Sequence, residues 1–172
     1  MDSLNRKMKN FVSKSKVTNL IKETMKIRTA KNTDLEQITN LFDEYRVFYR
    51  KSSNKKAAKE FLAERIKNKD SEIFVCENDE NILVGFVQLY PLFSSTRMKK
   101  LWLLNDLYVN PEYRSKGISI KLIERAKKLV AASSACSMFL ETEKSNLIGN
   151  NLYPKTGFKL NEGSNFYEWN ND

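Results

Sequence analysis

LNDLYVNPEYRSKGISIKLIERAKKL, residues 104–129, runs from an apolar stretch ending at Val109, through Asn110 and Pro111, into a basic turn with one glycine, Gly117. Beyond the turn, Ile118, Leu122, Ile123, Ala126, Leu129 and Val130 recur at helical spacing. The stretch therefore reads as strand, turn and amphipathic helix, with Arg114, Lys116 and Gly117 at the junction. A helix N-terminus presents unpaired N–H groups and a partial positive charge, and a tight basic turn in front of it makes a cradle for an anion. A glycine there lets the backbone approach a ligand closely. Taken alone, one glycine before a helix is more often an ordinary turn, and this one is neither a P-loop nor a three-glycine dinucleotide fingerprint.

The surroundings narrow the choice. The 172 residues, 41% hydrophobic, are enough for one domain with a full core. No apolar run approaches the ~20 residues of a membrane span, and the basic N-terminus lacks the apolar centre of a secretory signal. There is no histidine, which removes Ser-His-Asp and Cys-His catalysis and every His-ligated metal site. Cys76 and Cys136 lie far apart in predicted strands, too few for a structural zinc site; they read as reduced core thiols of a cytoplasmic protein. No metal is expected. Chemistry is left to Tyr, Asp, Glu, Lys, backbone groups or a bound cofactor.

The net charge is +9, which favours an anionic partner: a phosphate cofactor, nucleic acid or an acidic membrane. Much of it sits in residues 1–26, where seven lysines and arginines face two acids. Residues 1–24 read as a basic amphipathic extension, with Leu4, Met8, Phe11 and Val12 at helical spacing, suited to weak contact with a membrane or a partner. The domain proper is expected over residues 25–172. No nucleic-acid recognition motif accompanies the basic tail.

Within the domain the pattern alternates. Lys26–Ala30 predicts a strand, and two helices follow, the first over Leu35–Tyr49 and the second over Asn54–Lys67. EIFVCEN and ILVGFVQLY predict a hairpin that Pro91 breaks, LFSSTRMKK a loop, and LWLLNDLYV a long strand. After the helix of the opening stretch come a strand over CSMFLET, a short helix over NLIGNNLYPKT, and a final hairpin of GFKL with NFYEW. The expected fold is α/β: a mixed sheet of about seven strands with four helices on both faces.

In that setting LYVNPEYRSKGIS resembles the acetyl-CoA signature of the GNAT acetyltransferases: a strand, a Pro-containing turn, then Arg/Gln-x-x-Gly-x-Gly/Ala opening a helix. Arg114 and Gly117 match, and Ser119 stands at the last small position. NLIGNNLYPKTGF is similar to the family's Asn-x-x-Ala-x-x-Leu-Tyr-x-x-x-Gly-Phe through Asn146, Leu152, Tyr153, Gly157 and Phe158, with Gly149 in place of the usual alanine. The resemblance spans residues 26–169. It implies the GNAT fold and acetyl transfer from acetyl-CoA to a primary amine: a small amine, a polyamine or a lysine side chain. A noncatalytic acyl-CoA sensor is the alternative.

The resemblance also implies a site. Backbone N–H groups of Arg114, Ser115, Lys116, Gly117, Ile118 and Ser119 would hold the coenzyme A pyrophosphate, with charge added by Arg114 and Lys116. Leu107, Tyr108 and Val109 would flank the pantetheine arm as an added strand, Asn146 would touch that arm, and an N–H near Val109 would meet the thioester oxygen. Tyr153 occupies the position of the acid for the leaving sulfur. LNDLYV resembles the Leu-Glu-Asp-Phe-Phe-Val strand of spermidine/spermine acetyltransferases, where the glutamate is a base through water; here that position is Asn105, which cannot take a proton, so Asp106 is the expected base. Residues 86–109 also look like bacterial members related to histone/polyamine acetyltransferases. Tyr45, Tyr49 and Tyr90, with Asp43 and Glu44 at the rim, are expected to line the acceptor pocket, since aromatic faces and carboxylates both attract ammonium. A second copy of the chain is a candidate partner.

Overall fold

The computed structural model describes residues 24–171; the expectations about the N-terminal extension fall outside them. β1 (Lys26–Thr29) leads through a 3-10 turn at Asn32–Asp34 into α1 (Leu35–Phe48) and α2 (Lys55–Asn68). Then come β2 (Glu72–Glu77), β3 (Leu83–Ser94), β4 (Lys99–Val109), α3 (Ile118–Ala132), β5 (Met138–Phe139) and α4 (Leu147–Lys155). The strands lie in sequence order, antiparallel except for β4 and β5, which run parallel. Among the described residues no helix is long and apolar enough to cross a membrane.

The core has two halves, one on each face of the sheet. On one face Ile38, Leu41 and Phe42 of α1 and Ala58 and Leu62 of α2 bury against Ile73, Val75 and Phe86. On the other, Ile118, Leu122, Ile123 and Ala126 of α3 bury against Phe74, Val87, Leu89, Trp102 and Leu104, and Leu152, Tyr153 and Phe158 pack on the same cluster. Local chemistry sets the ends. The Asn54 side chain accepts from Ala57 N at 3.0 Å and starts α2. Arg28 ties β1 to the 3-10 turn through Asp34 and to β2 through Glu77, and its guanidinium holds the Asp34 carboxyl below the ordinary carboxylate range.

Several expectations are corrected. The described residues form five strands, not seven. GFKL and NFYEW make no hairpin, and Leu160, Phe166, Tyr167 and Trp169 lie exposed. β5 pairs with β4 over only two residues, so it offers no ladder to extend, and an isolated two-stranded hairpin is marginal in water. Pro91 does not end β3: it pairs with Trp102 beyond the last β2 contact, Leu89, where β3 is an edge on that side and a missing N–H costs no ladder bond. The strand then turns through residues 95–98 directly into β4. Cys76 is buried, but Cys136 precedes β5 and is exposed.

Candidate active site

The site begins where two strands part. Cys136 N bonds Lys100 O at 2.8 Å and Trp102 N bonds Ser137 O at 3.0 Å; the last parallel pair is Leu103 with Phe139. Beyond it β4 runs on without that neighbour. On its other side it stays paired with β3, but with a register shift: Leu89 faces Leu104 and Gln88 faces Asp106, leaving Asn105 as the extra residue of a bulge. A bulge reverses the alternation of faces. Trp102 and Leu104 point into the α3 half of the core, whereas Asp106 and Tyr108, still at even spacing, are buried on the α1 face. Asn110 N bonds Val84 O at 2.9 Å, toward β3, so alternation turns the backbone groups of Leu107 and Val109 to the open side.

The turn after β4 is built from its own side chains. Asn110 accepts from Glu112 N at 3.0 Å, and Arg114 Nε donates to Val109 O at 3.1 Å. The Arg114 guanidinium lies 5.9 Å from the Phe48 ring and 5.7 Å from the Tyr108 ring, so it braces the turn against α1. Lys116 Nζ stands 4.6 Å over Tyr113. Ser115 (φ 62°) and Gly117 (φ 75°) are both left-handed, an arrangement that turns successive N–H groups to one side as an anion nest. Lys121 N takes Gly117 O at 3.1 Å, leaving the N–H groups of Ile118, Ser119 and Ile120 as the open first turn of α3. A Cβ on Gly117 would meet nothing within 4 Å. The glycine thus serves its backbone angle and open space, which is what a phosphate seat requires.

Tyrosines close the space beside the strand opening. Tyr45 and Tyr49 of α1 meet edge to face at 5.0 Å, and Tyr45 also contacts Phe86 and Tyr108. Tyr45 Oη donates to Asn105 O at 3.3 Å. Asn105 Nδ2 lies 3.1 Å from each oxygen of Asp106. Asp106 is 4% exposed. Burial pushes its carboxyl up to about 6, against the hydrogen bonds from Asn105 and Tyr45 that pull it down. Burial, and then the nearby Asp106 charge, push the Tyr45 phenol far up and the Tyr90 phenol up to about 12. Tyr153, on α4, is pushed up to about 12 by burial and by Tyr49. Tyr45, bonded to Asn105 O and packed edge to face on Tyr49, is the residue whose phenol Asp106, Tyr49 and Tyr153 all push upward.

Asn146 is the N-cap of α4: its Oδ1 accepts from Gly149 N at 3.0 Å and its Nδ2 donates to Thr142 Oγ1 at 2.9 Å. With Phe48, Tyr49, Arg50, Glu143 and Ser145 it lines a cleft between α1 and α4 that the Arg50–Glu143 ion pair borders. Asp43, expected at the pocket rim, is instead buried beneath the α1–α2 connection, where it accepts from Ser53 Oγ at 2.5 Å and Asn54 N at 2.8 Å. Glu44 accepts from Tyr108 Oη at 3.3 Å. Sequence reasoning passed over Gln88, fully buried across the ladder from Asp106, its Nε2 donating to Ser71 Oγ at 2.9 Å. The signal was there: one amide inside the otherwise apolar LVGFVQL.

Residues 36–158 match the model of the acetyltransferase (GNAT) family. The uncharacterised N-acetyltransferase YhfO of Bacillus subtilis (strain 168) is 40% identical over 139 residues, 81% of this chain and 93% of that protein. A spermidine N(1)-acetyltransferase of Thermoplasma acidophilum is 28% identical over 116 residues, 64% of this chain and 68% of its own. The crystal structure of a probable acetyltransferase superposes with a TM-score of 0.81 at 32% identity, covering 86% of this chain and 98% of the other.

Proposed function

The chain belongs to the GNAT acetyltransferase family, and from that premise we propose that it acetylates a cationic primary amine, a small amine, polyamine or lysine side chain, in the space between Asp106 and Tyr153. It is an acetyl-CoA-dependent N-acetyltransferase. Acetyl-CoA supplies the activated acyl group as a thioester. The residues fit it: the open first turn of α3 and the bare Gly117 suit a pyrophosphate, and the β4 edge at Leu107 and Val109, past the last β5 pair and with only Val109 O taken up by Arg114, suits an amide-bearing arm.

The observation that supports the acceptor reading is a buried carboxylate, Asp106, held by Asn105 beside the Tyr45 hydroxyl, with the Tyr49 ring against Tyr45. Asp106 is poised near 6, so at neutral pH it is mostly ionised and can attract an ammonium and receive its proton, directly or through water. Asn105 holds that carboxylate in place through its amide. As the amine nitrogen bonds to the acetyl carbon and the carbon–sulfur bond breaks, Tyr153 would give its proton to the leaving sulfur and recover one, through water, from the nitrogen that becomes the amide. Tyr153 stays protonated through the neutral range because its phenol is raised to about 12. We assign to a backbone N–H near Val109 the role of meeting the charge that builds on the acyl oxygen. Tyr45, Tyr49 and Tyr90 supply aromatic faces for the cation, and the spermidine-acetylating relative supports the same substrate class.

Thioester release measured against a panel of acceptors tests this reading. Cationic primary amines should turn over and anionic acceptors should not; a preference for anionic acceptors, or none for any amine, would overturn it. The cofactor seat has its own test. Gly117→Val forces a β-branched residue into the left-handed region, at a cost of about 1–2 kcal/mol, and fills the seat with methyl groups. Calorimetric affinity for acetyl-CoA should fall about tenfold in a variant whose circular dichroism is unchanged. Equal affinity in the folded variant would move the pyrophosphate elsewhere.

A further inference from the structure

We propose that Gly149 is a positioning residue for the Tyr153 phenol, acting through the space its missing side chain leaves on one face of α4. This rests on the reading of Tyr153 as the acid of acetyl transfer. Asn146, Gly149 and Tyr153 fall at i, i+3 and i+7, so all three share one helix face. A Cβ built on Gly149 would stand 2.7 Å from Asn146 Nδ2, 3.1 Å from its Cγ and 3.2 Å from Tyr153 Cε2. The first distance is closer than side chains tolerate. Ordinarily an amide end would swing away, but here it is held at both atoms, by Gly149 N and by Thr142 Oγ1. The tyrosine ring is also fenced, by Phe158 edge to face at 5.8 Å. A methyl group at 149 therefore wedges between the helix cap and the ring, and the ring with its hydroxyl end is displaced.

Backbone geometry gives no other reason for a glycine here. Only Gly117 and Gly157 have positive φ among the described glycines; Gly149 is an interior helical residue, buried, where alanine would make the stronger helix. The family motif that this segment resembles carries alanine at the position. In this chain an alanine would collide with the amide that caps the helix, so the cap and the ring placement go together with the glycine.

The test is a double-mutant cycle on the full chain, Gly149→Ala in the wild-type and in the Tyr153→Phe background, with kcat and thermal midpoint read on each. In Gly149→Ala the gain in helix propensity is offset by the disturbed Asn146 cap, so the thermal midpoint should move little, while kcat should fall about 3–10-fold, since misplacement by a fraction of an ångström costs part of the ~10²-fold attached to a full one. Gly149→Ser, larger by one atom, should fall further. In the Phe background both losses should vanish, because no hydroxyl remains to misplace. Equal losses in the two backgrounds would overturn the positioning role. So would an unchanged kcat in Gly149→Ala while Tyr153→Phe is slow, which would leave the acid in place. A normal kcat in Tyr153→Phe removes the acid, and the role of Gly149 with it.

Discussion

A Tyr153→Phe variant is expected to lose about 10–100-fold in kcat while its KM for acetyl-CoA stays within about threefold. The ring remains, so its packing against Phe158 and the α3 half of the core remains as well. Only the O–H is removed. That hydroxyl has no hydrogen-bond partner among the described residues, so its loss should leave the thermal midpoint where it was. A thiolate leaves tolerably without help, which places the effect at the low end of general acid catalysis, about 1.4–2.7 kcal/mol of barrier. With the phenol raised to about 12, wild-type turnover should not decline through loss of this proton below roughly pH 11. If Tyr153 were only packing, the Phe variant would keep its kcat. Measuring kcat and the melt on one preparation separates the two, and near-normal turnover would leave the sulfur to another acid.

The parts of the molecule that local chemistry dictates could be read from the chain. Gly117 ahead of an amphipathic run is decided within a few residues and stands where expected, and α2 and α4 fall on the stretches read as helical. What depended on pairing between distant strands could not be read. Alternation along LWLLNDLYV puts Asp106 on the face of Trp102 and Leu104; the bulge at Asn105, set by the match to β3, carries it to the face of α1. That reversal is what brings Asp106 to Tyr45. Likewise CSMFLET has the composition of a full strand, but only Met138 and Phe139 find a partner, because β4 departs from its path at the bulge. The short β5 is both the failed strand prediction and the cause of the opening beside Leu107 and Val109. Asp43 and Asp106 look alike in sequence. One is consumed by Ser53 and Asn54, which together with Arg46 hold it below the ordinary range despite its burial, and the other faces the tyrosines and rises.

Asp106→Asn should move activity and stability in opposite directions. The substitution keeps the shape and removes the charge. At pH 7.5 and saturating amine we expect kcat to fall about 100-fold, the low end for a lost general base, with KM for a cationic acceptor raised more than for a neutral one. In the wild type the carboxyl is raised from its ordinary 3.8 to about 6 by burial, so activity should climb through pH 6 and level off above it. That limb should be missing from the Asn variant; ionisation of the acceptor itself affects both proteins and cancels in their ratio. Stability follows from the same displacement. A carboxyl whose folded value lies above its unfolded value favours the protonated folded state: the benefit is complete below about pH 4 and is lost as pH rises through 6. Above that the wild type carries a buried charge at a cost on the order of 2–3 kcal/mol, which a neutral amide does not pay. The Asn variant should therefore melt higher than wild type at pH 7.5 and lose that advantage near pH 4. A purely structural aspartate, like Asp43 with its two short donors, predicts the reverse: a lower melt at neutral pH and an unchanged pH–rate profile. Melts at pH 4 and 7.5 beside the pH–rate profile distinguish the cases, and a destabilised Asn variant that keeps its acid limb would exclude Asp106 as the base.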